Sequence, residues 1–224
     1  MLDQFQTLFE QLQKLVQDSM QGDGFSAIDA SGPLTPLQRH VLRELLQGYP
    51  SQPLNLSDEL TGLLVRSSLI ERLSQALIDS TSRNSILAVC FIDLDGFKEI
   101  NDQHGHAVGD QALRLIGERI HNSIRSGDLL GRWGGDEFVL VLQNIDRQES
   151  VAHLADRLLG AISHPLKLSS DEPLTLFLGA SIGVAMTSAG LLGKEFDALT
   201  LIEKADKAMY EAKRAGKNRI EIAL

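Results

Sequence analysis

The sequence predicts a layered α/β domain built on one sheet, preceded by a short helical appendage. Three observations carry this. From Asp58 onward, apolar residues recur alternately with helical and with strand spacing. A glycine pair, Gly134-Gly135, separates two apolar runs in the manner of a hairpin. The first 57 residues carry only helical patterning. The chain has 224 residues, 43% hydrophobic and 23% charged, which is ample for one core plus an appendage.

In the appendage, Leu2, Phe5, Phe9, Leu12 and Val16 recur at spacings of three and four, with Leu8 and Leu15 widening the stripe. This predicts an amphipathic helix over about residues 2–20, ended by Gly22-Asp23-Gly24. The stripe suits packing on its own domain, self-association, or docking of a partner. A second helix starts at Thr35 as N-cap, with Pro36 in the first turn and Gln38 completing a capping box. Gly48 and Pro50 stop it, and residues 51–57 read as a linker. The expected division is thus 1–57 and 58–224.

In the domain, helical spacing predicts helices over about 66–80, 109–125, 149–163 and 199–214, with short helical turns near 96–104. Strands are expected at Ile86–Ile92, on either side of Gly134-Gly135, over a long stretch from Leu174 to Met186, and at Arg219–Ile222.

Composition narrows the function. Lys and Arg number 21 against 30 Asp and Glu, a net charge of −9, which argues against binding a nucleic-acid polymer through a basic face. No apolar run reaches the roughly 20 residues of a membrane span. Met1-Leu2-Asp3-Gln4 opens no basic and apolar leader, so a cytoplasmic location is expected. A single cysteine, Cys90, excludes an internal disulfide framework.

The chemistry concentrates at two acidic strand ends. Asp93 and Asp95 close an apolar strand and, by alternation, share a face opposite Ile92 and Leu94. Buried carboxylates require cations or N–H partners, although Asp95 could instead cap the helix that follows. In Gly134-Gly135-Asp136-Glu137-Phe138, the glycines allow close backbone approach and two adjacent carboxylates project from the turn. Carboxylates converging from neighbouring strands suit a hard divalent cation such as Mg²⁺, which is completed by phosphate oxygens and water. A nucleoside triphosphate fits that arrangement.

Here the sequence resembles the GGDEF-domain diguanylate cyclases, which join two GTP molecules into cyclic di-GMP. The resemblance spans about residues 58–222 through ordered blocks: Asp58-Glu59-Leu60-Thr61-Gly62-Leu63, Phe91 to Lys98, Asn101-Asp102, Gly105 to Asp110, Arg132 to Phe138, and Ala205-Asp206 through Lys213 to Asn218. It implies a central, mostly antiparallel sheet surrounded by helices, as in palm-like nucleotidyl cyclases. It also implies that Asp93, Asp136 and the backbone carbonyl of Leu94 hold Mg²⁺, with Mn²⁺ as an alternative, and that Glu137 lies near the metal and the attacking 3′-hydroxyl. Asn101 and Asp110 would read guanine, since a carboxylate accepts from donors that adenine lacks. Lys98, Lys213 and Lys217 would meet the triphosphate, while Phe97, Gly134 and Gly135 lie along it.

By the same resemblance, each subunit of a homodimer presents one GTP. Arg125 and Asp128, in Arg125-Ser126-Gly127-Asp128, would form an inhibitory product site. The appendage would set when two copies meet, or receive a regulatory protein. Two departures stand out. Val65 replaces a family asparagine, and Lys217 stands where many relatives carry arginine, keeping the charge but losing the bidentate fork. The alternative is a catalytically silent receptor for cyclic di-GMP, but silent relatives usually show a damaged glycine turn, and here it is intact.

Overall fold

The structure, a computed structural model, describes residues 56–83, 85–168, 173–187 and 197–223. The two expected N-terminal helices lie outside the described residues.

The domain opens with the two-residue strand β1 (Leu64–Val65) and helix α1 (Arg66–Arg83). Strand β2 (Ile86–Asp95) leads through α2 (Phe97–His104) and α3 (His106–Asn122) to the hairpin of β3 (Leu129–Gly134) and β4 (Glu137–Ile145). Helix α4 (Glu149–Ser163) precedes the short strands β5 (Leu166–Leu168) and β6 (Leu174–Leu176). Strand β7 (Gly179–Met186), helix α5 (Ala198–Arg214) and β8 (Arg219–Ile222) complete the domain. Among the described residues, no helix is long and apolar enough to cross a membrane.

The main sheet runs β1-β3-β4-β2-β7-β8. Its three central pairings are antiparallel, and the two edge pairings, β1 with β3 and β7 with β8, are parallel. The mostly antiparallel sheet expected from the family resemblance is therefore present.

Strand β2 lies at the centre because its sequence is apolar on both faces. Ala88, Cys90, Ile92 and Leu94 pack with Leu113, Ile116 and Ile120 of α3 and Val151, Leu158 and Ile162 of α4. Leu87, Val89 and Phe91 face the opposite way, into Leu69 and Leu73 of α1 and Leu201, Ile202 and Met209 of α5. Cys90 is fully buried, and burial, followed by the negative charge of Asp128, pushes its thiol up to about 12. Such a thiol is a packing group, inert as a nucleophile.

The expected long strand from Leu174 to Met186 is broken. Leu174–Leu176 leaves the main sheet and pairs with Leu166–Leu168 in a separate two-stranded ribbon. The ribbon buries Leu166, Leu168, Leu176 and Leu178 against the α3/α4 side of the core. Phe177, between them, is 73% exposed. Arg119 secures this corner by donating to the carbonyls of Ala161, His164 and Pro165, the last at 2.7 Å. These include carbonyls that the C-terminus of α4 leaves without helical partners.

Helix α5 is capped by Asp197, whose carboxylate accepts from the Thr200 backbone N–H at 2.7 Å. It rests on β7 at Gly183, where a Cβ would fall 2.0 Å from the Ala205 carbonyl oxygen and 2.1 Å from the Met209 nitrogen. Both are helix backbone, so relief would require lifting α5 off the sheet. Gly183→Ala is therefore expected to cost about 3 kcal/mol, read as a lowered urea midpoint with an unchanged m-value.

Candidate active site

Register places the acidic residues together. On the central strand Asp93 lies directly opposite Glu137 of β4 and Ser181 of β7. The backbone N–H of the buried Leu94 donates to the Asp136 carbonyl at 3.3 Å, drawing the tip of the β3–β4 hairpin against the end of β2. Gly134 pairs with Glu137 after a register shift, and Gly135 turns the chain with φ 50, a left-handed conformation natural to glycine. Both glycines are exposed, whereas Asp136 and Glu137 are half-buried.

Charge crowding follows. Asp93 is only 7% exposed, and burial raises its carboxyl above the usual range. The Lys213 ammonium opposes that shift from 2.6 Å, while the negative charges of Asp136 and Asp95 reinforce it. Glu137 is raised likewise, first by burial and then by repulsion from Asp93, Asp136 and Asp206. Asp93, Asp136 and Glu137 thus form an electron-rich corner with a lysine at its edge.

The donor chemistry fits Mg²⁺. Asp93 and Asp136 carry hard carboxylate oxygens, and among the described residues no group of three or more Asp, Glu, His or Cys is arranged to hold a metal. An incomplete protein shell is what Mg²⁺ takes when phosphate oxygens and water finish its coordination.

Asp95 does not cap the next helix. It accepts from Ser181 Oγ at 3.0 Å and from the Asn218 backbone N–H at 2.8 Å, tying β2 to the turn between α5 and β8. That turn holds Lys217 and Asn218 at positive φ, 62 and 46 respectively, with Lys217 exposed. Lys213 thus reaches the acidic corner from the last turn of α5, and Lys217 lies just beyond it on the turn tied to Asp95. Lys98 lies exposed on α2, whose first residue, Phe97, is buried. Asn101 and Asp110 lie on consecutive helices, α2 and α3, joined at Gly105. Asp110 is exposed, and Asn101 Oδ1 is buried without a hydrogen-bond partner.

Arg125 and Asp128 lie elsewhere, at the far end of β4. The Asp128 carboxylate accepts from the backbone N–H groups of Arg125, at 3.0 Å, and Gln143, at 3.1 Å. Gln143 is six residues along β4 from Glu137, which separates the two regions by about 20 Å. A cavity of about 320 Å³ opens beside them, lined also by His153 and Arg157 of α4. Sequence reading did not single out these two residues, because each is an ordinary polar position on an amphipathic helix.

Arg132 was likewise legible only as part of a matching block. Its guanidinium contacts both oxygens of Asp58 at 3.2 Å and donates twice to the Gly135 carbonyl, at 3.0 and 2.8 Å. Asp58 also accepts from the Thr61 N–H and hydroxyl at 2.8 and 2.7 Å. Burial raises the Asp58 carboxyl, yet these Thr61 and Arg132 contacts together hold it below its ordinary value. The first residues of the domain thereby grip the glycine turn. Asp58→Ala leaves Arg132 without its carboxylate and is expected to cost about 1–3 kcal/mol, read by thermal unfolding, with a looser turn visible as faster amide exchange at Gly135.

The profile described as "Diguanylate cyclase, GGDEF domain" matches residues 55–219. The chain is 40% identical over 176 residues to the bifunctional diguanylate cyclase/cyclic di-GMP phosphodiesterase MucR of Pseudomonas aeruginosa, covering 79% of this chain and 24% of MucR. It therefore spans about a quarter of that relative's length. The GGDEF domain of DgcB from Caulobacter crescentus, solved with c-di-GMP, superposes with a TM-score of 0.67 at 28% identity, covering 77% of this chain and 98% of that one. Diguanylate cyclase SiaD of Pseudomonas aeruginosa, solved with its activator SiaC, gives a TM-score of 0.67 at 28% identity and covers 99% of this chain and 81% of SiaD. With its acidic strand ends and intact glycine turn, the chain belongs to the GGDEF-domain family.

Proposed function

We propose that this chain is a diguanylate cyclase that condenses two GTP into cyclic di-GMP and releases two pyrophosphates. The observation that carries the reading is the convergence of Asp93, Asp136 and Glu137 at the glycine turn, with Lys213 at 2.6 Å from Asp93. A receptor that only bound a dinucleotide elsewhere would gain nothing from concentrating buried negative charge there, since uncompensated burial is costly.

Asp93, Asp136 and the Leu94 carbonyl would hold Mg²⁺ or Mn²⁺, which neutralises the phosphate charge as it redistributes. Lys213, Lys217 and Lys98 bind the triphosphate, and the exposed Gly134 and Gly135 let it approach the backbone. Asn101 and Asp110 take the guanine edge. In the reaction each 3′-hydroxyl gives up its proton, which passes in net terms to solvent water, and attacks the α-phosphorus of the other nucleotide. One P–O bond forms as the bond to pyrophosphate breaks, and the sequence occurs twice. Glu137 faces the attacking hydroxyl. Most of the acceleration comes from alignment and charge neutralisation. Because each domain presents one GTP, two copies must face one another, and catalysis requires a homodimer.

Regulation follows from the remaining parts. Arg125 and Asp128, with the cavity beside them, form a product-inhibition site, and the bound c-di-GMP of DgcB supports dinucleotide binding by such a domain. Residues 1–57 control pairing of the copies or receive a regulatory protein, a reading supported by the activator complex of SiaD, whose match reaches across 99% of this chain.

Purified protein given GTP and Mg²⁺ is expected to yield cyclic di-GMP and pyrophosphate in a ratio of one to two. Absence of product across a wide protein concentration range would instead favour the receptor. Asp136→Asn should lower turnover by at least about 100-fold while leaving the circular dichroism spectrum intact. Arg125→Ala should relieve inhibition by added cyclic di-GMP without lowering the initial rate; inhibition that persists unchanged would remove the product-site assignment.

A further inference from the structure

We infer that Gly109 is a positioning residue for guanine selection: its missing side chain is the space in which the Asn101 amide is held. This rests on the reading of Asn101 as a guanine contact. Gly109 is buried in the first turns of α3, and its φ is not among the positive values, so nothing in its backbone demands glycine. Helix propensity would favour alanine there.

The demand comes from a neighbour instead. A Cβ on Gly109 would lie 2.0 Å from Asn101 Oδ1, 3.0 Å from Asn101 Cγ and 3.2 Å from Phe97 Cζ. No backbone atom is among these three nearest neighbours. Phe97 is 8% exposed and anchored in the core at the start of α2, so the ring has little room to move. Asn101 is half-buried and its amide is the group able to swing away. Any side chain at residue 109 therefore expels the amide from its position and leaves the core in place.

The state of that amide supports the assignment. Asn101 Oδ1 is one of two buried side-chain polar atoms without a partner among the described residues. Leaving such an atom unpaired is costly, and the amide keeps this position because no side chain at residue 109 displaces it. Gly109 holds it beside Asp110, the other residue read as a guanine contact, because the two are consecutive on α3. The close approach of α2 and α3 is set by Gly105, whose φ of 84 lets the chain reverse between them.

The test is a double-mutant cycle on the full chain: Gly109→Ala, Asn101→Ala and both together, assayed by initial rates with GTP and Mg²⁺ at fixed protein concentration, with thermal midpoints measured alongside. Gly109→Ala is expected to raise KM for GTP about tenfold with kcat changed far less, and to leave the midpoint equal or higher. Asn101→Ala should raise KM similarly, and the double variant should match Asn101→Ala alone, because both changes remove one contact. If Asn101→Ala leaves KM unchanged, the guanine reading of Asn101 fails. If Asn101→Ala raises KM but Gly109→Ala does not, or if the two effects add in full, the inference about Gly109 is overturned while that reading stands. A lowered midpoint for Gly109→Ala with unchanged KM would make the residue a packing glycine and also overturn the inference.

Discussion

Negative charge at the end of a buried strand is the constraint from which the rest of this domain follows. Strand β2 is apolar on both faces until Asp93, and the carboxylate there is almost as buried as the residues before it. The fold answers with a cation from α5, and the Leu94 N–H pulls the hairpin tip in beside it. Asp95, two residues on, is satisfied differently, by a hydroxyl and a backbone amide, which makes it a fastener for the turn carrying Lys217. Two aspartates on one face of one strand thus have separate fates. Asp93 is crowded by further carboxylates with Lys213 as its counter-charge, whereas Asp95 is surrounded by donors.

Much of this was legible in the sequence because it depends on short periods. Strand alternation puts Asp93 and Asp95 on one face, and the glycine pair places Asp136 and Glu137 at a hairpin tip. The four longer helices were recoverable from apolar spacing, with α4 placed over Glu149–Ser163 as expected. What was hidden depends on distance along the chain or on brevity. Asp58 and Arg132 are 74 residues apart, and no periodicity links them. Strands β5 and β6 have three residues each, too few for alternation to distinguish them from the strand that follows. Gly109 was visible as part of a motif, but its reason for being glycine is a side chain on another helix.

The glycine turn is held from two directions. From below, the β2–β4 pairing fixes Glu137 against Asp93; from the side, Arg132 spans from Asp58 to the Gly135 carbonyl. Trp133, next to Arg132, packs edge-on against Phe91 at 5.9 Å between ring centroids, with the Arg66 guanidinium 4.3 Å above its face. Residues from the beginning of the domain therefore bear directly on the turn. A change transmitted into Asp58 would reach Gly135 through one side chain.

The margins of the sheet have a consequence of their own. Strand β1 has two residues and β8 has four, and β8 carries Arg219 paired with Glu221 at 3.1 Å. An edge so short offers few free backbone groups to a neighbouring strand, and charged side chains discourage addition. At these two margins, lateral pairing of one copy with another into a continuous sheet is thereby discouraged.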